Sequence, residues 1–326
     1  TSIELISSNK ELTYCFRKWC RQRNISFKLY RVSSGKKSTS LIKKCFDCLP
    51  GIVQSGIWLI GYLIDRWPLR GVGVEEWGKG QTQIAFVSYL FNLKSDVMKN
   101  NRFESEYWTN LPKILDEDKI SSSWLHIFVK NSVVSDSKVA KDLLMRFNEK
   151  YKNQQVHVTL DSFLCFETVF GALWDYLFLY RVCLFNYPKF NGFEKDECRA
   201  IQAIIFPFLK TDWSRTFFGK EAMKNVLMLN LFERAFSALP SQNKGVYLQE
   251  NQGWEFGMIH AWRANGHGRL FGFPHTTVRF WDLRYFFDTR SYAKSRLSLP
   301  RPHCVAVSGD AVRNAYLCGG YPSEDL

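Results

Sequence analysis

Four polar side chains that could bind a nucleotide lie close together between Tyr247 and Glu255. They are Glu250, Asn251, Gln252 and Glu255, and they run from the end of a predicted strand into a predicted helix. Ligands bind at the carboxyl ends of strands in open α/β sheets, and N–H groups at a helix start attract phosphate. Carboxylates can accept from ribose hydroxyls, and amides can recognise a base edge. The alternative is a capping network in which Asn251 is the N-cap and Glu255 lies in the first turn.

Two further polar segments follow predicted strands later in the chain. His275 and Thr276 come after the strand that ends at Phe273, and Ser308 and Gly309 come after a strand that begins at His303. A histidine beside hydroxyl groups could bind a diphosphate-like or carboxylate group, although a lone histidine is more often structural. Three polar strand ends in succession predict a nucleotide pocket, and neither a G-x-G-x-x-G nor a P-loop motif occurs in the chain.

An acidic residue, Asp161, follows another predicted strand and precedes an apolar helix. Its carboxylate could cap that helix, or it could face the ligand site as a nucleophile. Glycosyl transfer passes through an oxocarbenium-like state, which a close carboxylate stabilises or captures covalently. The sequence therefore makes Asp161 the leading catalytic candidate.

A third group of residues could contact a sugar acceptor. Glu76 and Glu104 are candidate acids or bases, and Tyr107 and Trp108 could form a surface on which a sugar ring stacks. Solvated charge and core aromatic packing explain the same four residues nearly as well.

The elements that must position these residues alternate between strand and helix along the whole chain. The pattern predicts a strand at Ser2–Ser7, a helix at Glu11–Arg23 and further strand–helix pairs up to a last helix at Asp310–Cys318. This alternation of strands and helices is typical of an α/β protein with doubly wound parallel sheets. A polar, glycine-containing segment follows the long apolar run Phe163–Phe185. It predicts a hinge near residue 190, which divides the chain into domains at 1–190 and 191–326.

Two apolar segments bear on the question of membrane contact. Phe163–Phe185 is predicted to be a buried helix or helix pair. Leu49–Ile64 is shorter than a membrane span needs and is interrupted by polar residues, which favours a buried helix. Basic residues flank this second segment, so contact with a membrane interface is the alternative.

The bulk composition limits the classes of function. Among the 326 residues, 46% are hydrophobic and 23% charged, which is typical of a globular protein, and the net charge is +13. This charge favours an anionic partner, but the basic residues are dispersed, so we expect no nucleic acid partner. Nine cysteines occur singly in apolar runs or as one C-x-x-C pair, and no signal peptide opens the chain. These features predict a cytoplasmic protein.

The same residues resemble a known family. The segments Y-L-Q-E-N-Q-G-W-E at 247–255 and G-H-G-R-L-F-G-F-P-H-T-T-V-R-F-W-D-L-R-Y-F at 266–286 are similar to bacterial surface-carbohydrate biosynthesis proteins. Within that group, the chain resembles the retaining β-Kdo transferase modules that cap lipopolysaccharide O-antigen chains. Shorter segments at 86–93, 105–108, 124–129 and 157–164 also resemble the family, so the similarity covers most of residues 80–326.

The resemblance implies a modified GT-B fold, in which two Rossmann-like domains face a cleft. It implies CMP-β-Kdo as donor and a growing O-antigen end on a lipid carrier as acceptor, with possible peripheral contact at the cytoplasmic face of the inner membrane. Family members use an aspartate nucleophile and double displacement, and Asp161 matches that position. Glu250, Gln252, Glu255 and His275 match positions that face the cytidine and phosphate.

A covalent aspartyl adduct explains retention without a metal, so we expect no metal and no cofactor. A transferase for another sugar nucleotide and a non-catalytic scaffold of polysaccharide assembly are the alternatives.

Overall fold

The structure is a computed structural model that describes residues 1–32, 41–80, 82–91, 93–94, 97, 101–152, 154–186, 196–275, 278, 282–292 and 298–326. The strands are β1 (Ser2–Ile6), β2 (Ser26–Tyr30), β3 (Ile84–Tyr89), β4 (Ser122–Ile127), β5 (Gln155–Thr159), β6 (Lys244–Gln249), β7 (Arg269–Pro274) and β8 (Cys304–Val305). The α-helices are α1 (Lys10–Gln22), α2 (Leu41–Cys48), α3 (Gly51–Arg66), α4 (Val74–Lys79), α5 (Leu111–Glu117), α6 (Ser137–Tyr151), α7 (Phe166–Asn186), α8 (Asp196–Phe218), α9 (Lys220–Ala238), α10 (Gly253–Ala264) and α11 (Asp310–Cys318). The predicted α/β class is confirmed.

The chain forms two compact units. The smaller unit contains Thr1–Gly61 and Leu173–Lys224, and the larger contains Tyr62–Ala172 and Asn225–Leu326. This division differs from the predicted domains 1–190 and 191–326, and the predicted hinge near residue 190 lies outside the described residues. In the smaller unit, β1 and β2 pair in parallel on either side of α1 in the sequence, as the β-α-β pattern predicts.

The larger unit contains a six-stranded sheet with the order β5-β4-β3-β6-β7-β8, and every neighbouring pair is parallel. This is the strand order of a Rossmann-type doubly wound sheet, which reverses between its two central strands. Here the reversal falls between β3 and β6, which pair from Ile84↔Lys244 to Val87↔Tyr247. Strands that the sequence assigned to two separate domains therefore share one sheet.

The N-terminus of α6 is capped by a carboxylate. The N-cap is Asp136, which accepts from the backbone N–H groups of Lys138 and Val139 at 2.8 and 3.0 Å. A carboxylate satisfies two of the unpaired N–H groups and also interacts favourably with the positive end of the helix dipole.

Two apolar helices are less buried than predicted. In α3, Ser55 and Leu59 are buried, but Ile57, Ile60 and Ile64 are exposed. In α7, an apolar stripe is exposed along the length of the helix. The prediction that Phe163–Phe185 forms a buried helix is therefore wrong for that face, because an apolar composition does not specify what covers each side.

The core of the larger unit contains a buried histidine pair. His126 of β4 and His157 of β5 stack with ring centroids 5.4 Å apart, and His126 Nε2 lies 3.1 Å from His157 Nδ1. Phe103 and Trp124 pack against both rings. Burial lowers the pKa of His126 to about 3, and burial together with the neighbouring His126 lowers the pKa of His157 well below its ordinary value. Both imidazoles are therefore neutral in the folded protein.

This pair predicts loss of stability in mild acid. An unfolded histidine titrates near pH 6.5, so below that pH the unfolded chain gains protons that the folded chain excludes. The contribution of the neutral histidine pair to the free energy of unfolding is fully present above pH 6.5. Below that pH the free energy of unfolding falls by up to roughly 1.4 kcal/mol per pH unit for each histidine. Urea unfolding at pH 7.5, 6.5 and 5.5 measures this slope.

The variant His126→Asn should unfold with a pH slope shallower by about one proton. The matched control is His260→Asn, because the side chain of His260 is 60% exposed. A slope that is the same in His126→Asn and in the wild-type protein would contradict this assignment.

Candidate functional site

The candidate site lies where the sheet reverses direction, at the carboxyl ends of β3 and β6. Tyr89 is the last residue of β3, Glu250 directly follows β6, and His275 directly follows β7. Because these strands are parallel neighbours, their carboxyl ends meet at one edge of the sheet. In open α/β sheets this reversal point is where ligands bind.

Glu250 is the centre of a hydrogen-bonded cluster at this edge. Its Oε2 accepts from the Tyr89 hydroxyl at 3.0 Å, and its Oε1 lies 3.3 Å from His275 Nε2. The ring of Tyr107 meets the His275 ring edge-on, with centroids 4.3 Å apart. The hydrogen bond from His275 is the largest influence lowering the pKa of Glu250, and burial partly opposes it. Glu250 is therefore an ionised, half-buried carboxylate at neutral pH.

The turn after Glu250 differs in detail from the predicted capping network. Asn251 has a positive φ of 56°, a conformation that asparagine tolerates better than most residues, and so it cannot be the extended N-cap. The N-cap of α10 is Gln252, which forms a capping box with Glu255. Glu255 Oε1 accepts from the backbone N–H groups of Glu250 and Gln252 at 2.8 and 2.9 Å. These two hydrogen bonds hold the turn. Burial raises the pKa of Glu255 to about 8, and the two bonds act in the opposite direction.

A cavity of about 280 Å³ lies beside this turn. Its lining includes Gln249, Asn251, Gln252, Glu255, Arg284 and Arg301. The hydroxyl of Tyr247, which also lines it, and Gln249 Oε1 are buried and have no hydrogen-bond partner among the described residues. Buried polar atoms are normally paired, so these two atoms are exceptions beside the cavity, and both lie close to Gly272 of β7.

Tyr89 and Arg284 also belong to the site. Tyr89 was not predicted because its hydrogen bond joins residues 161 positions apart, although its place as the last polar residue of a strand was a usable signal. Arg284 lines the cavity. It donates to the Glu250 carbonyl at 3.3 Å and is held by Asp282 through hydrogen bonds of 3.0 and 2.7 Å. This pairing raises the pKa of Arg284 and fixes a cation at the cavity.

Asp161 lies at the same edge of the sheet but away from this cluster. It follows β5 in a 3₁₀ turn, is 3% exposed, and accepts a hydrogen bond from the Tyr62 hydroxyl. Burial raises its pKa, while Arg66 and the bond from Tyr62 act in the opposite direction. Strands β5 and β6 are three strand spacings apart, roughly 14 Å across the sheet. Asp161 and Glu250 therefore belong to one sheet edge, whereas the sequence assigned them to two domains.

The remaining predicted residues fall into different environments. Trp108 is 6% exposed and donates to the Ser88 hydroxyl at 2.8 Å, which makes it a core residue of the sheet. Glu104 pairs with Lys94 at 3.6 Å. Glu76 is exposed on α4, and Ser308 and Gly309 are exposed at the start of α11. Of the predicted acceptor residues, the structure brings only Tyr107 to the Glu250 cluster.

Thr276 lies outside the described residues. Among the residues that the structure describes, no group of three or more histidine, cysteine, aspartate and glutamate side chains is placed to hold a metal ion. Comparison of the chain with family models, with curated proteins and with solved structures found no match.

Proposed function

We propose that this protein is a glycosyltransferase that binds a nucleotide sugar where the sheet reverses between β3 and β6. The observation that carries the proposal is the cluster of Glu250, Tyr89 and His275 at that point, beside a cavity with unpaired buried polar atoms. An ionised carboxylate can accept from ribose or sugar hydroxyls.

We propose CMP-β-Kdo as the donor, on the strength of the resemblance at 247–286. A Kdo donor carries a carboxylate and a phosphodiester, so it requires cationic groups at its site. Arg284 and Arg301 line the cavity, and the net charge of +13 favours capture of an anionic substrate.

In the proposed reaction, the Asp161 carboxylate attacks the anomeric carbon and the bond to the CMP phosphate breaks, so CMP leaves with the bonding electrons. A hydroxyl of the acceptor glycan then attacks the same carbon and gives its proton to solvent, and the bond to Asp161 breaks so that the carboxylate is restored. Two inversions give net retention. Arg66 and the Tyr62 hydroxyl are the groups that favour the ionised form of Asp161 against its burial. Because Asp161 is buried and bonded to Tyr62, access of the donor requires the Tyr62 side chain to move.

The proposed architecture is a modified GT-B enzyme in which the larger unit supplies the donor-binding Rossmann-like domain and the smaller unit belongs to the second domain. The acceptor would be a lipopolysaccharide O-antigen or a related surface glycan on a lipid carrier, which places the reaction at the cytoplasmic face of the inner membrane. Neither a metal nor a cofactor is part of the proposal.

Two alternatives make different predictions. A transferase for another sugar nucleotide would recognise a different base, and a non-catalytic scaffold would bind without turnover. Both alternatives keep the Glu250 site as the place where the ligand binds. The first changes the nucleotide that binds there, and the second removes the transfer reaction.

A panel of CMP, UDP and GDP in a thermal-shift experiment tests the donor. CMP is expected to raise the melting temperature, since a ligand at about 100 times its Kd stabilises by roughly 2.7 kcal/mol. UDP and GDP at the same concentrations should give smaller shifts. Stabilisation by UDP alone would rule out the CMP donor, and no shift with any nucleotide would contradict the nucleotide site.

A further inference from the structure

Helix α7 presents an exposed apolar stripe to its surroundings. At 3.6 residues per turn its members fall within an arc of about 120° around the helix axis, so they lie on one side of the helix. Trp174 is 72% exposed, and the other side chains of the stripe are between half and 70% exposed. They are Phe166, Phe170, Leu177, Phe178, Leu184 and Phe185.

The opposite side of α7 packs against the protein. Ala172, Tyr176 and Cys183 are buried there, and the Tyr176 hydroxyl donates to the Phe218 carbonyl at 2.8 Å. Gly171 lies directly against Asn230 of α9, in space that a larger side chain would occupy. The helix is therefore apolar on both sides but covered on only one. Soluble monomers seldom expose contiguous apolar patches of this kind, and such patches mark sites of membrane or protein contact.

Charge indicates what covers the stripe. Arg70 lies 6.0 Å from the Phe166 ring at one end and 5.0 Å from the Trp67 ring. Arg181 lies 6.0 Å from the Phe185 ring at the other end. Tryptophan and phenylalanine beside arginine are typical of side chains at a membrane interface, where the rings enter the acyl boundary and the cations meet anionic headgroups. The net charge of +13 complements such a surface.

Length and composition alone would allow part of this helix to cross a bilayer. Phe166–Phe185 has 20 residues and a mean hydropathy of 1.3. A helix that crosses a bilayer is surrounded by lipid or by other spanning helices, and the described residues contain no second helix long and apolar enough to span. The buried side is already occupied by protein at Tyr176 and Gly171, and Asp175 and Arg181 lie within the segment. A helix held on one side can present only its other side to lipid.

We propose that α7 docks flat on an anionic lipid bilayer, with Phe170, Trp174 and Phe178 inserted at the level of the headgroups. This inference goes beyond the proposed function, because the docking face does not include any residue of the Glu250 site. Lipid binding can therefore be measured without a nucleotide, and nucleotide binding without lipid.

Vesicle flotation tests the proposal with phosphatidylcholine vesicles and with phosphatidylcholine–phosphatidylglycerol vesicles. The wild-type protein should float with the anionic vesicles. The triple variant Phe170→Ser, Trp174→Ser, Phe178→Ser should reduce the bound fraction by about tenfold or more, because interfacial binding scales with buried apolar area. The double variant Arg70→Gln, Arg181→Gln should weaken binding to anionic vesicles and reduce its dependence on salt.

The matched control is Ile114→Ser, Met145→Ser, which removes two exposed apolar side chains from α5 and α6. This variant should float like the wild-type protein. The thermal shift with CMP should be the same in the triple variant and the wild type, so loss of lipid binding is distinguished from loss of the donor site.

A second measurement does not depend on the triple variant folding. Brominated lipids should quench part of the tryptophan fluorescence of the wild-type protein. In Trp174→Phe this quenching should be absent. The proposal is overturned if the wild-type protein does not float, or if the control and the folded triple variant float equally. A third outcome would also overturn it: the wild-type protein is a dimer by light scattering and does not bind vesicles, whereas the triple variant is a monomer. A second copy of the chain would then cover the apolar stripe of α7.

Discussion

Replacement of Asp161 by asparagine is expected to abolish sugar transfer while leaving nucleotide binding nearly unchanged. Loss of a catalytic nucleophile lowers the turnover number by roughly 10⁴-fold or more. Asparagine has almost the same shape, and its Oδ1 can still accept the hydrogen bond from Tyr62. Because burial raises the pKa of Asp161, the fold disfavours its charge, and the neutral amide should not destabilise the protein.

The measurement combines a transfer assay with intact-mass analysis of the protein incubated with CMP-Kdo. The wild-type protein should gain the mass of one Kdo residue, and Asp161→Asn should not. The matched control is Asp142→Asn, which removes an exposed carboxylate of α6. Transfer that survives in Asp161→Asn would show that Asp161 is not the nucleophile. If the wild-type protein binds the nucleotide but transfers no sugar, the result would favour the non-catalytic scaffold of polysaccharide assembly.

Replacement of Glu250 by glutamine is expected to weaken binding of CMP by roughly 10- to 100-fold. A hydrogen bond to a charged group contributes about 1.5–3 kcal/mol, and glutamine removes the charge while keeping the size of the side chain. Glu250 is ionised at neutral pH because His275 and Tyr89 lower its pKa. Isothermal titration or the thermal-shift panel measures this change.

The chain supplies a matched control for this substitution. Glu233 also faces a histidine, with Oε1 4.0 Å from His260 Nε2, but both side chains are largely exposed and lie on α9 and α10. Glu233→Gln should bind CMP like the wild-type protein. If Glu250→Gln and Glu233→Gln bind equally well, the cluster at the sheet reversal is not the nucleotide site.

These two variants also separate the two parts of the proposed site. Asp161→Asn should affect transfer and spare binding, whereas Glu250→Gln should affect binding first. This separation follows from the structure, because Asp161 follows β5 and Glu250 follows β6, three strand spacings away.

Most of the local structure could be predicted from the sequence. The strand predicted at Ser2–Ser7 lies at Ser2–Ile6, and the helix predicted at Glu11–Arg23 lies at Lys10–Gln22. Such elements follow from the spacing of apolar residues, which depends only on near neighbours in the chain. Helix α8 was not predicted, and its interior proline and mixed apolar pattern give a weak helical period.

The candidate site could be predicted only in part. Glu250 and His275 were recognisable as polar residues at strand ends. Their contact with one another, and that of Tyr89 with Glu250, depends on β3 lying beside β6 and β6 beside β7. Trp108 was as suitable for a sugar surface as Tyr107 by residue type, and only packing shows that Trp108 is a core residue while Tyr107 reaches His275.

The α/β class, the polar strand ends and the apolar character of α7 could all be predicted from the order of residues along the chain. Each of these depends on residue type and on a period of two to four residues. The tertiary structure decided which strands are neighbours, since short apolar strands resemble one another and only long-range hydrogen bonds select the β3–β6 pair. It also decided which side of α7 is covered, because burial is a property of what packs against a helix and not of the helix alone.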